Sequence, residues 1–307
     1  MYTKILVCDP IAESGIELLK SAGFGVDVKF DLTPEELKQT IVDYDALIVR
    51  SRTMVTKEVI EAGKKLKAIG RAGVGLDNID VAAAQKCGID VLNAPESLMV
   101  SVAELTIGLM ISVARQIPKA DQTMKEGKWI KKELTGTTLE GKTLGIVGFG
   151  RVGGAVASIA RAMGMNILVN DPRVDQKRLE EVNARAVSLE ELLRESDFVT
   201  LHVALTPNTR HLIGEKQLQM MKTGAYLINT SRGAVIDDEA VLKSLKGGKL
   251  AGAAFDVYDV EPPTDLSLVK MDNVVCTPHI GSQTVEAQES AGVIIAEKVI
   301  NSLKRLR

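Results

Sequence analysis

Along the first 95 residues, short runs of apolar side chains alternate with stretches whose apolar positions recur every three or four residues. The runs at 4–8, 25–30, 46–49, 68–71 and 90–92 predict strands, and the stretches at 14–21, 34–42, 57–63 and 80–87 predict helices. Thr33 before Pro34, with Glu36 three residues on, supplies a capping hydroxyl and a first-turn proline for one of these helices. Strands that alternate with helices imply a parallel sheet, because each strand needs a crossover before the next can run in the same direction.

From Ser97 the pattern changes. Residues 101–119 read as one long helix in which Val102, Leu105, Ile107, Leu109, Met110 and Val113 cover most of the circumference, so it is expected to be buried between domains. A second series follows, with strands predicted at 144–147, 166–170, 198–202, 225–229, 251–256 and 274–277, enough for a doubly wound sheet. A final helix at 284–303 is expected to return to the first domain.

The strand at 144–147 runs straight into Gly148-Phe149-Gly150-Arg151-Val152-Gly153, a Gly-x-Gly-x-x-Gly turn near the middle of the chain. Gly148 permits a tight turn, Gly150 lets the backbone approach a pyrophosphate, and Gly153 lets the following helix pack closely on the strand. The phosphate charge would then sit at a helix N-terminus. The next strand ends in Asp171, 23 residues (171 − 148) beyond the first glycine, where a carboxylate is expected to bond an adenine-ribose 2′-hydroxyl and to repel a 2′-phosphate. That favours NAD over NADP, although Arg173 lies nearby.

Length and charge narrow the picture further. The 307 residues suggest about two domains, and 38 basic against 40 acidic side chains leave no electrostatic case for nucleic acid or membrane as a partner. The basic ending Lys304, Arg305 and Arg307 reads as a solvated helix end. No early segment resembles a signal peptide, so a cytoplasmic location is expected. Cys8, Cys87 and Cys276 are widely spaced and expected to be small buried residues, and with His202, His211 and His279 they form no metal-ligand pattern. His211 is expected to be solvated and His202 to pack or hydrogen-bond near the cofactor.

Carboxyl ends of parallel strands line the ligand crevice of an open sheet. Three such ends carry ionisable groups: Arg232, Glu261 and His279. A histidine near neutrality suits the hydroxyl proton of an alcohol oxidised by a nicotinamide, a glutamate partner raises its pKa and fixes its tautomer, and an arginine grips a carboxylate. The same positions also fit a surface ion pair and a solvated histidine, and spacing alone does not choose.

The chain resembles the D-isomer-specific 2-hydroxyacid dehydrogenases, most closely their phosphoglycerate-oxidising branch. The resemblance rests on GRAGVGLDNID at 70–80, NAPESLMVSVAEL at 93–105, GFGRVG, LHVALTPNT at 201–209, INTSRG at 228–233, AAFDVYDVEPP at 253–263 and TPHIGS at 277–282. It implies an α/β chain of two doubly wound parallel sheets: a Rossmann NAD-binding domain, 95–283, inserted in a flavodoxin-like substrate domain of 1–94 plus 284–307. It makes Arg232, Glu261 and His279 the catalytic set. The cofactor positions it implies are Val74, Gly148, Gly150, Arg151, Val152, Gly153, Asp171, His202, Val203, Thr230, Ser231, Arg232, Asp256, His279, Gly281 and Ser282. The amides of Gly73, Val74 and Gly75 would receive a substrate carboxylate, beside Arg232 and His279.

The expected reaction is NAD-dependent oxidation of D-3-phosphoglycerate to 3-phosphohydroxypyruvate, which opens serine biosynthesis, with closure between domains excluding water. Arg50, Arg52 and Arg71, with Ser51 between the first two, motivate the phosphate, and interdomain ion pairs are the other reading of these cations. The alternatives are glyoxylate or hydroxypyruvate reduction and, in another class, an NAD(H)-sensing protein resembling the C-terminal-binding corepressors. The resemblance also implies a homodimer or higher homo-oligomer. Some family members carry C-terminal regulatory domains that bind serine, and a chain ending at Arg307 is expected to lack that control.

Overall fold

The computed structural model of the protein describes residues 3–305 and divides into two compact units, Met1–Leu98 with Ser282–Arg307 and Met99–Gly281. The joins fall a few residues from those expected at 94/95 and 283/284. Arg307 lies outside the described residues.

In the first unit the strands are β1 (Lys4–Val7), β2 (Gly25–Val28), β3 (Ala46–Val49), β4 (Ala68–Arg71) and β5 (Asp90–Asn93), and the helices between them are α1 (Glu13–Ser21), α2 (Pro34–Thr40), α3 (Lys57–Ala62) and α4 (Val81–Lys86). All pairings are parallel and the order is β2-β1-β3-β4-β5, that of a flavodoxin-like sheet. Such a sheet is covered on both faces, which is why its strands read as unbroken apolar runs. Ile5 and Val7 join the core on one face, Leu6 and Cys8 the core on the other. At α2 the expected cap forms, Thr33 Oγ1 accepting from the Glu36 amide while Glu36 reaches back to the Thr33 amide.

The second unit holds α5 (Met99–Ala114), α6 (Ile117–Lys125), β6 (Thr143–Val147), α7 (Arg151–Ala162), β7 (Asn166–Asn170), α8 (Gln176–Glu181), β8 (Ala184–Ala186), α9 (Leu189–Glu195), β9 (Phe198–Leu201), α10 (Glu215–Met220), β10 (Ala225–Asn229), α11 (Asp238–Lys246), β11 (Leu250–Phe255) and β12 (Val274–Cys276). Its seven strands run parallel in the order β12-β11-β10-β9-β6-β7-β8. The direction of winding reverses between β6 and β9, so their carboxyl ends open a crevice at the switch point. The chain then returns to the first unit as α12 (Val285–Arg305), whose Ile295 and Val299 pack on β4. Gly70 makes that possible, since a Cβ there would lie 2.8 Å from Val299 Cγ2.

Three local readings differ from the sequence expectation. The long helix at 101–119 is two helices bent by 66°, because Gln116 adopts a left-handed φ of 52° and Pro118 cannot continue the hydrogen-bond ladder. β8 is an extra three-residue edge strand, Ala-Arg-Ala, too short and too polar to register as an apolar run. Cys87 is exposed at the end of α4 rather than buried, while Cys8 is buried and Cys276 half-buried. Among the described residues no single helix is long and apolar enough to cross a membrane.

Candidate active site

β6 enters α7 through the glycine turn. Gly148 has φ of 94°, and a Cβ on it would lie 2.5 Å from the His202 carbonyl oxygen, so only glycine lets this turn press against the end of β9. A Cβ on Gly153 would come within 2.1 Å of the Gly148 carbonyl oxygen. At Gly150, which caps α7, a Cβ would meet nothing within 4 Å, so the approach to the helix N-terminus is open. Asp171, at the end of β7, ties the turn down, accepting from the Phe149 amide at 2.7 Å and from the Arg173 amide at 2.8 Å. Neighbouring Arg151 is exposed and Val152 and Val203 are half-buried. His202 places Nε2 2.9 Å from Thr200 Oγ1, and burial pushes its pKa down to about 3, which keeps the ring neutral. His211 is exposed.

The ends of β10, β11 and β12 bring Arg232, Glu261 and His279 to one side of the sheet. His279 Nδ1 lies 2.6 Å from Glu261 Oε2. That bond is the main force raising the His279 pKa above the usual imidazole value, against partial burial and the Arg232 charge. Burial opposes ionisation of Glu261, yet the bond to His279, the Tyr258 amide and the Arg232 charge together hold its carboxyl below the usual value. Arg232 donates Nη1 to the Ser231 carbonyl at 2.7 Å. Asn229 shapes this turn, its Oδ1 accepting from the Ser231 amide and hydroxyl and its Nδ2 donating to the Arg232 carbonyl. Gly233 then passes so close to the backbone of Tyr258 and Asp259 that a Cβ would overlap it.

A buried carboxylate supports the histidine. Asp256 is 1% exposed, and it accepts from Thr277 Oγ1 at 2.6 Å and from the Ile280 and Gly281 amides at 2.8 Å each. These three bonds fold the segment after β12 so that His279 sits in the left-handed region, φ 53°. From α5, Ser101 Oγ donates to the Gly281 carbonyl at 2.6 Å, and Thr106 Oγ1 lies 2.9 Å from Thr230 Oγ1. The apolar helix of the sequence thus also carries two hydroxyls that hold the loops of the site.

The remaining predicted residues lie in the first unit. Arg50, Ser51 and Arg52 follow β3. Asp9, 2% exposed, shapes that loop by accepting from the Arg50 and Thr53 amides, and Asn78 donates to the Arg50 and Thr53 carbonyls. Arg52 forms an exposed ion pair with Asp31 within the same unit, so for this cation the partner is not the interdomain one expected as the alternative to phosphate. At the end of β4, Arg71 runs over Gly73, where a Cβ would overlap its guanidinium. Val74 is exposed and Gly75 half-buried, and the Val74 carbonyl accepts from Asn93 Nδ2. Ser282, half-buried, opens the returning segment.

Comparison with known proteins meets this geometry. The family model described as D-isomer specific 2-hydroxyacid dehydrogenase, NAD binding domain, matches residues 107–281. The chain belongs to this family. It is 49% identical to a D-3-phosphoglycerate dehydrogenase of Methanocaldococcus jannaschii over 98% of the chain and 57% of that protein. It is 46% identical to a hydroxypyruvate reductase of Thermotoga maritima over 98% of both. A crystal structure of a glyoxylate reductase from Paecilomyes thermophila superposes with a TM-score of 0.91 at 32% identity, covering 100% of this chain and 97% of that one. The chain spans just over half the length of several curated relatives it matches.

The family's cofactor is NAD, and the residues present fit it. The open Gly150, the glycine contacts on either side and the Asp171 carboxylate at the end of β7 form a cradle that larger side chains would fill. Sequence reasoning missed several supports: Asp9, Asn78, Asn229, Ser101, Thr106 and Arg178. Asp9 had a legible signal, being an acid at a strand's carboxyl end. Arg178, on a short polar helix, had none.

Proposed function

We propose that the chain catalyses the NAD-dependent oxidation of D-3-phosphoglycerate to 3-phosphohydroxypyruvate, the step that opens serine biosynthesis. The observation that carries the dehydrogenase chemistry is the 2.6 Å bond between His279 and Glu261, beside the fixed Arg232. When bound, NAD supplies the hydride acceptor. With Nδ1 held by the carboxylate, Nε2 is the nitrogen that takes the hydroxyl proton as the carbinol carbon gives up hydride. Glu261 stabilises the resulting imidazolium, and the Arg232 fork binds the substrate carboxylate and polarises the reacting oxygen. In the reverse direction the protonated ring returns the proton to the carbonyl oxygen.

The names of several relatives support the phosphorylated substrate, and Arg50, on the loop that Asp9 holds, and Arg71, at the end of β4, are the cations suited to its phosphate. A second reading, hydroxypyruvate reduction, is favoured by the reductase that this chain matches from end to end. Steady-state assays separate them. A higher kcat/KM for D-3-phosphoglycerate than for D-glycerate supports the first reading, and preferential reduction of hydroxypyruvate or glyoxylate overturns it. His279→Ala is expected to lower kcat about 10²–10⁴-fold while NAD still binds. Loss of NAD binding in that variant would make His279 structural.

A further inference from the structure

The glycine turn contains a feature that the dinucleotide fingerprint does not include. Arg178 of α8 reaches across to it, donating Nη1 to the Phe149 carbonyl at 3.1 Å and Nη2 to the Gly150 carbonyl at 2.8 Å, with its guanidinium 5.0 Å from the Phe149 ring centroid. The following residue, Gly154, is what makes room: a Cβ there would lie 2.5 Å from Arg178 Nη2.

Within a planar peptide the C=O of one residue and the N–H of the next point in opposite directions. Fixing the Phe149 and Gly150 carbonyls on the Arg178 side therefore aims the Gly150 and Arg151 amides the other way, toward the open approach over Gly150 at the start of α7. Asp171 holds the same loop by the Phe149 amide. Two side chains of opposite charge thus hold the Phe149 amide and the Phe149 and Gly150 carbonyls, the last shared with the Gly154 amide at 3.1 Å, and the guanidinium adds its positive charge from behind the turn.

We propose that Arg178 is a positioning residue for the cofactor pyrophosphate, and that Gly154 is the gap that seats it. The proposal rests on NAD binding at this turn, not on the identity of the hydroxy acid.

The test uses the full chain with Arg178→Met, which keeps much of the stem beside Phe149, and Gly154→Ala, which keeps the arginine but fills its seat. Both are expected to weaken binding of NAD and of ADP-ribose about tenfold by calorimetry. Binding of adenosine, which lacks phosphate, should change less than twofold, and kcat at saturating NAD should hold. Alanine is the better helix former, so Gly154→Ala should melt no lower than the unaltered chain even as it binds NAD more weakly. A structural role alone would not separate those two readouts. Unchanged NAD affinity in both variants, equal weakening toward adenosine, or affinity loss that follows a lowered melting temperature would each overturn the proposal. Binding needs no turnover, so failure to oxidise phosphoglycerate would sink the substrate reading and leave this one standing.

Discussion

His279 and Glu261 show how a single hydrogen bond sets chemistry. The bond raises the pKa of the imidazole and lowers that of the carboxyl, so the charged pair persists from below the usual carboxylate value to above the usual imidazole value. In the proposed mechanism oxidation uses the neutral ring, so its kcat/KM is expected to rise with pH through a point above the ordinary imidazole value. Glu261→Gln removes the largest raising cause, and that rise should move to lower pH, while reduction, which needs the protonated ring, loses rate from a lower pH upward. A pH–rate profile unmoved by the substitution would mean that His279 does not titrate in the step. Asp171 teaches a different lesson at the same scale. Its expected ribose contact requires the carboxylate, yet both its oxygens already engage backbone amides, so it holds the glycine turn as well. Asp171→Ala is expected to relax the preference for NAD over NADP and to weaken both cofactors; unchanged preference by kcat/KM would remove it from the specificity argument.

Among elements, α12 and α1 show how closely this chain packs backbone on backbone. A Cβ on Gly15 would lie 2.6 Å from the Gly292 carbonyl oxygen, a contact with main chain that cannot swing aside. Gly15→Ala is expected to destabilise the first unit by about 1–3 kcal/mol, read as a lower denaturation midpoint in urea. A midpoint at or above that of the unaltered chain would mean that the two helices separate freely. The bend between α5 and α6 has a local origin that the apolar pattern conceals. The sequence reads as one helix through residues 101–119, but Pro118 and the left-handed Gln116 decided where the helix stopped.

At the scale of the molecule, each unit builds its own parallel sheet and its own cores, and the chain enters the second unit and leaves it once. NAD bound only to the native state stabilises it by about 2.7 kcal/mol at a concentration one hundred times Kd. Hydrogen exchange should show protection by NAD strongest at the β6–α7 turn and the loops after β10 and β11. Protection no greater there than in β1 to β3 would contradict the proposed cofactor site.

By itself the sequence determined most of the strands and the helices of the first unit, though not the break at Gln116 or the short β8, and also that the sheets are parallel, where the dinucleotide turn lies and which three ionisable groups follow neighbouring strands. Those properties follow from side-chain period and local stereochemistry, which are written in contiguous residues. Only the tertiary structure decided that Glu261 meets His279, that Asp256 folds the histidine's loop, and that Arg52 turns to Asp31. It alone placed Arg178 behind the glycine turn, 30 residues (178 − 148) from Gly148, with Gly154 left bare to admit it. Polar contacts between distant segments depend on strand order and on distances of a few tenths of an ångström, and no periodicity along the chain encodes either.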